Sequence, residues 1–244
     1  MNFDASGFVF KAPDVLSRAR RVLIKPCAGS PKAYPETTSP ALLGTVIQGI
    51  RQVSDADIVL LEGTPAGSPI YPIFQSLGYD FPRVLTIDVR DTIAVEVENP
   101  LTKPLAISTF WIPNVILSCD YLISIAPLRV ISGRGYFSIM NLLTLLPANK
   151  YDGEAPGWRA LYNLGIDRVL ADLYFTLPFD LGIIEGRQLF TGGEGGKGDK
   201  VEPYGKIFVG EPHEVDQEAT QALGLRAEYL ELIKAAKIEL GTEA

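Results

Sequence analysis

Two short apolar runs, residues 21–25 (RVLIK) and 57–61 (DIVLL), enclose a segment that can only be a helix, and this leaves few ways to fold. The first run ends at Pro26, which cannot donate to a further ladder bond, so it reads as a buried strand. After a polar loop, Ser39 stands where an N-cap belongs and Pro40 where the first helical residue belongs. Leu43, Val46, Ile47 and Ile50 then recur at helical spacing and give the helix one apolar face. The second run closes at Glu62-Gly63. Strand, helix and strand at this spacing demand a right-handed crossover and a parallel pair. The fold class that follows is α/β: an open, mostly parallel or mixed central sheet with helices on both faces.

The remaining pattern extends this unit. Helices are expected over 68–77, 137–146, 158–175, 212–223 and 226–240, and strands over 84–89, 92–98, 106–111, 121–125, 179–184 and 206–209. In 158–175 the stripe is Tyr162, Ile166, Val169, Leu170 and Leu173. A polar break at 149–156 divides the chain into a first half, 1–148, and a second, 149–244, expected to pack on one core as one unit. Residues 107–128 are apolar enough to suggest a membrane span. Pro113, Asn114 and Asp120 interrupt them, so strand, turn and strand fits better.

With 29 acidic and 22 basic side chains among 244 residues, the formal net charge is −7. That disfavours a nucleic-acid or anionic-membrane partner, since phosphate contacts need clustered cations. The one short basic cluster, Arg18, Arg20 and Arg21, reads as a solvated lead-in to the first strand. Cys27 and Cys119 lack CxxC spacing, so no iron–sulfur cluster is built from the chain's own cysteines. No charged and then apolar leader opens the sequence, and the expectation is a soluble, cytoplasmic protein.

In open α/β sheets ligands sit beyond the carboxyl ends of the strands. The polar residues expected there are Lys25, Glu62, Asp88, Arg129 and Glu185. Lys25 and Glu62 would share adjacent strand ends, either as a structural ion pair or as an anion-binding and proton-moving pair. Five glycines from Gly192 to Gly198, interrupted by Glu194 and Lys197, form a side-chain-poor loop. It misses the P-loop pattern by one residue and has Gly198 where Ser or Thr would hold Mg²⁺. A backbone anion nest around Gly193 and Gly195 stays open beside a plain surface loop. His213 and Asp216 lie three apart on one helical face. With a single histidine in the chain, metal ligands would be mostly oxygens, which suits Mg²⁺, Mn²⁺ or Ca²⁺. Cys27 follows Lys25-Pro26, with a small, half-buried thiol as the plain alternative to a reactive one.

The order of these pieces resembles the family called domain of unknown function 362. The resemblance rests on Lys25-Pro26-Cys27, Thr38-Ser39-Pro40, Glu62-Gly63-Thr64-Pro65, Pro127-Leu128-Arg129, Met140-Asn141 to Leu146-Pro147, Glu185-Gly186, and Glu211-Pro212 through Asp216. It implies an α/β fold, with Lys25, Glu62, Arg129, Asn141, Glu185, Gly193, Gly195 and Asp216 at the ligand site. It also implies an iron–sulfur or other protein partner, because family members often occur fused to ferredoxin-like modules. The chain departs from the pattern at Met140, where the family carries Lys, and at Val130, Ile131 and Ser132, where a basic or imidazole group is expected. Two functions follow. One is a small anionic metabolite or divalent-metal site that supports binding or a reaction. The other is a non-catalytic binding or assembly protein with a partly degenerate site.

Overall fold

The computed structural model describes residues 1–65, 67–151, 159–193 and 196–241. Its strands are β1 (Asn2–Asp4), β2 (Arg21–Pro26), β3 (Asp57–Glu62), β4 (Val84–Asp88), β5 (Ala94–Glu98), β6 (Thr109–Pro113), β7 (Tyr121–Ile131), β8 (Arg134–Gly135), β9 (Leu181–Gly192) and β10 (Lys200–Gly210). The helices are α1 (Pro40–Arg51), α2 (Tyr71–Leu77), α3 (Asn114–Leu117), α4 (Ala148–Tyr151), α5 (Arg159–Asn163), α6 (Ile166–Thr176), α7 (Pro212–Ala222) and α8 (Glu228–Glu239). The main sheet is mixed, in the order β1-β10-β9-β7-β2-β3-β4, with β8 added on β7. The run from β9 to β4 is parallel, while β10 and β1 extend it by antiparallel pairing. The α/β fold is therefore as the sequence implies.

Alternation along the central strands explains the two faces. Val22, Ile24, Ile58 and Leu60 pack with Leu42, Val46 and Ile50 of α1 and Phe74 of α2. Leu23, Val59 and Leu61 pack on the opposite face with Val169 and Leu170 of α6, Tyr229 and Ile233 of α8, and the 3-10 turn Met140–Leu145. Both sides of central strands must be apolar in such a sheet, which is why these strands read as continuous runs.

Several elements differ from their sequence outlines. The helix expected over 158–175 appears as α5 and α6, parted at Gly165, whose φ of 90° leaves the helical region. In the sequence the apolar spacing runs on through Tyr162, so periodicity alone does not reveal the break; in the structure Tyr162 is exposed and Leu161 is the residue of α5 that joins the core. β7 runs to Ile131 rather than ending near 125, and β9 reaches Gly192. Beyond the sheet proper, these extensions pair with each other and with β8 and β10. The strand expected over 92–98 forms with β6 a separate two-stranded sheet. β1 has no local signal, because all its pairing is with β10 at the far end of the chain.

From β2 the chain runs to β3 and β4 on one side, then crosses to β7 on the other side of β2. The carboxyl ends of β2 and β7 are therefore the topological switch point, where open α/β sheets leave a crevice for ligands.

Candidate functional site

At that switch point Lys25 is wholly buried, and all three ammonium protons are used. Nζ donates to Pro26 O, Glu62 Oε2 and Asn141 Oδ1, each at 2.8 Å. Glu62, equally buried, also accepts the Ala28 N–H at 2.8 Å on Oε2 and the Gly63 N–H at 2.9 Å on Oε1. Asn141 reaches Lys25 from the 3-10 turn and gives its amide protons to Lys25 O, Ser124 Oγ and Ile125 O, at 3.1–3.3 Å. Lys25 and Ser124 are register partners on β2 and β7, so this meeting is set by strand pairing. The adjacent strand ends expected of Lys25 and Glu62 are realised as a buried ion pair.

The polar contacts continue from there. Ser124 Oγ donates to Ser138 O at 2.8 Å, and Ser138 Oγ donates to Asp216 Oδ1 at 2.6 Å. Asp216 also accepts the Ser138 and Ile139 N–H groups and the Tyr229 hydroxyl, at 2.9, 3.0 and 2.9 Å. A buried polar line thus runs from Glu62 through Lys25, Asn141, Ser124, Ser138 and Asp216 to Tyr229. Ser138 and Tyr229 give no motif in the sequence. Ser124 gives a faint one, as a lone hydroxyl in the apolar run of β7.

Burial pushes the Asp216 carboxyl up to about 6, against four donors that pull it down. The unfolded chain gives up this proton near the ordinary carboxylate value, about pH 4. Between about pH 4 and 6 the folded state holds more protons, so stability is greatest below that window and falls as pH rises through it. Glu185, also raised by burial, acts in the same direction. The contribution of Asp216 is isolated by urea unfolding of the wild type and Asp216→Asn from pH 4 to 7. The expected difference changes by up to about 1.4 kcal/mol per pH unit within the window and is constant above it. A constant difference throughout would show that Asp216 does not titrate there.

Glu185 lies outside this line. Its Oε1 accepts Ser39 Oγ at 2.6 Å and its Oε2 accepts Ser39 N at 2.9 Å, so β9 fixes the residue that caps α1. Arg187 is 3.7 Å away. Asp88 holds the Ile70 and Arg90 N–H groups, each at 2.9 Å. His213 is buried, with Nε2 3.1 Å from Leu230 O, and turns away from the contacts of Asp216 although both sit on α7. Each acid serves its own loop. Among the described residues no three His, Cys, Asp or Glu side chains gather as metal ligands would. Cys27 is free and half-buried.

The glycine segment joins β9 to β10 as the tip of a long ribbon, roughly 24 Å along the strand from Glu185 at the usual rise per residue. The Gly193 N–H donates to Lys197 O at 2.8 Å and the Gly196 N–H to Gly193 O at 3.2 Å, so both are used within the tip itself. Gly195 lies outside the described residues.

Arg129 is placed differently from the rest. It sits on the extension of β7, about 13 Å past the residue that pairs with the end of β2. The 27–39 loop lies against this extension. Arg129 Nη1 donates to Glu36 O at 2.9 Å, and the Tyr34 hydroxyl lies 3.4 Å from Glu185 O and Gln188 O. The guanidinium lies over the Tyr136 ring at 5.1 Å. Its Nε is buried without a hydrogen-bond acceptor, and no carboxylate pairs with it among the described residues.

A family model described as domain of unknown function, DUF362, matches residues 22–221. The chain belongs to this family. The matched span includes every residue of the Glu62–Asp216 part of the polar line, so the DUF362 unit carries its own braces. Among solved structures, the chain is similar to the lactate racemase apoprotein from Thermoanaerobacterium thermosaccharolyticum, with a TM-score of 0.55 and 13% identity. The match covers 89% of this chain and 53% of that one, so the chain spans about half the length of the racemase. At this identity the likeness shows a shared α/β fold alone. No curated protein matches the chain. Among the described residues no helix is long and apolar enough to cross a membrane.

Proposed function

We propose that this DUF362 chain binds a small carboxylate metabolite in the switch-point crevice, with Arg129 as the anchoring cation. The observation that carries this reading is the guanidinium itself. It is held by Glu36 O and Tyr136, yet it has an unsatisfied buried Nε and no acidic partner among the described residues. A buried donor without an acceptor costs about 1–3 kcal/mol, and a carboxylate on the planar guanidinium edge supplies both the acceptor and the opposite charge. Arg129 also lies beyond the carboxyl end of β2, on the side of the sheet where open α/β folds bind ligands.

Lys25, Glu62, Glu185 and Asp216 are engaged in hydrogen bonds within the protein. Lys25 has no proton left for a ligand. This supports binding without proton transfer, the reading of a ligand-binding protein.

The test is calorimetric titration with short carboxylates, namely glycerate, malate and succinate, on wild type and Arg129→Gln. The expected result is saturable binding of at least one of them, weakened at least tenfold by Arg129→Gln, the usual scale for a lost charge-assisted contact. The melting temperature of the unliganded variant should stay within about 3 °C, since no buried carboxylate is left behind. Absence of binding in the wild type, or equal affinity in the variant, removes the proposal.

A further inference from the structure

A cationic cavity lies beside β4, the outer strand of the parallel run. It is about 360 Å³ and opens between the turn that follows β4 and helix α4, with Gly67 of the β3–α2 loop also in its wall. That volume is in the range of small-molecule sites. Arg90 and Lys150 line it, together with Thr92 and Asn149, and among the described residues none in its lining is acidic. In a chain with net charge −7, two cations facing one concavity without a carboxylate are unusual company. Neither forms an ion pair among the described residues.

Lys150 is held in place. Its Nζ sits 3.9 Å over the Trp111 ring, and the Tyr151 hydroxyl accepts the Trp111 backbone N–H at 2.7 Å. The nearest acids in sequence to Arg90 are already occupied. Asp88 accepts the Ile70 and Arg90 N–H groups, and Asp91 accepts the Tyr71 hydroxyl at 2.9 Å. Two cations lining one cavity match the double charge of a phosphate monoester near neutral pH, whereas the lone guanidinium of Arg129 matches a single carboxylate. Asn149, next to Lys150 in the lining, adds a neutral amide donor.

From these observations we infer that the cavity between β4 and α4 is a second binding site, specific for a small phosphate monoester held by Arg90 and Lys150. It is separate from the crevice at Arg129 and does not depend on that reading. Nothing in the sequence announces it, because the two cations are 60 positions apart and belong to no shared motif.

The experiment uses full-length protein carrying Arg129→Gln, which silences the carboxylate crevice, titrated calorimetrically with glycerol phosphate and with glycerate. Glycerol phosphate is expected to bind saturably and glycerate not to. Arg90→Gln or Lys150→Gln, added singly, should each weaken glycerol phosphate at least tenfold. Both side chains are exposed, so folding is not at stake. A second measurement locates the site. With Trp158→Phe, Trp111 is the only tryptophan left, and its emission should change with the same saturation curve as Lys150 is drawn toward the phosphate. Failure of glycerol phosphate to bind, or undiminished affinity after Arg90→Gln or after Lys150→Gln, overturns the inference. So does a binding curve that leaves Trp111 emission unchanged. Loss of carboxylate binding at Arg129 alone would leave it standing.

Discussion

Lys25→Met is expected to destabilise the protein by about 3–5 kcal/mol, the scale for breaking a buried ion pair from one side. For a chain of this size that lowers the melting temperature by about 10 °C or more. The cause is the carboxylate left behind: Glu62 is wholly buried, and two backbone N–H groups cannot replace the ammonium. Adding Glu62→Gln should recover part of the loss, because the neutral amide no longer carries an unpaired charge. Differential scanning calorimetry of the two single variants and the double variant measures this. A Lys25→Met protein that melts within about 3 °C of wild type but no longer binds carboxylate would make Lys25 a ligand group rather than a brace.

Asp216→Ala carries the next largest effect. It strands four donors at once, the Ser138 and Ile139 N–H groups and the Ser138 and Tyr229 hydroxyls. Each stranded donor costs about 1–3 kcal/mol before any water enters the space, so a loss of at least about 3 kcal/mol is expected. Tyr229→Phe removes a single donor and should cost about 1 kcal/mol. Amide hydrogen exchange gives the local signature: Ser138 and Ile139 should exchange far faster in Asp216→Ala, while the β2 amides slow or quicken only with global stability. Unchanged protection at those two amides would show that the carboxylate does not hold this segment.

The strand–helix–strand opening was legible because each piece carries a local physical signal. Apolar runs mark strands buried on both faces, and Ser39-Pro40 marks a helix start that indeed caps α1 through Leu42 N. The extensions of β7 and β9 were not legible. Pro127, Arg129 and Gln188 have no strand signature of their own and are ordered by pairing across the ribbon. Gly165 was lost inside a continuing stripe, and β1 owes its existence to a partner some 200 residues away. The same divide holds for the candidate site. Charged residues at strand ends stand out in a sequence, so Lys25 and Glu62 could be placed together. What they do is decided by Ser124, Ser138, Asn141 and Tyr229, of which only Asn141 drew attention, through the family resemblance. The glycine segment drew attention by composition, yet its described amides close on its own carbonyls at the ribbon tip.

The buried polar line has a meaning beyond the strength of its bonds. β2, β3 and β7 present runs of Val, Leu and Ile, and such surfaces fit one another nearly as well after sliding by a residue or two. A one-residue slip would swing Lys25 to the opposite face of β2, into the cluster that holds Val22 and Ile24, with no acceptor for any of its protons. A two-residue slip would restore the face but part Lys25 from Ser124 and Asn141. Greasy strands choose their neighbours loosely; the lysine, the serines and the aspartate admit one alignment and penalise the rest. An apolar replacement of the whole line could equal it in stability and still fold into a mixture of registers.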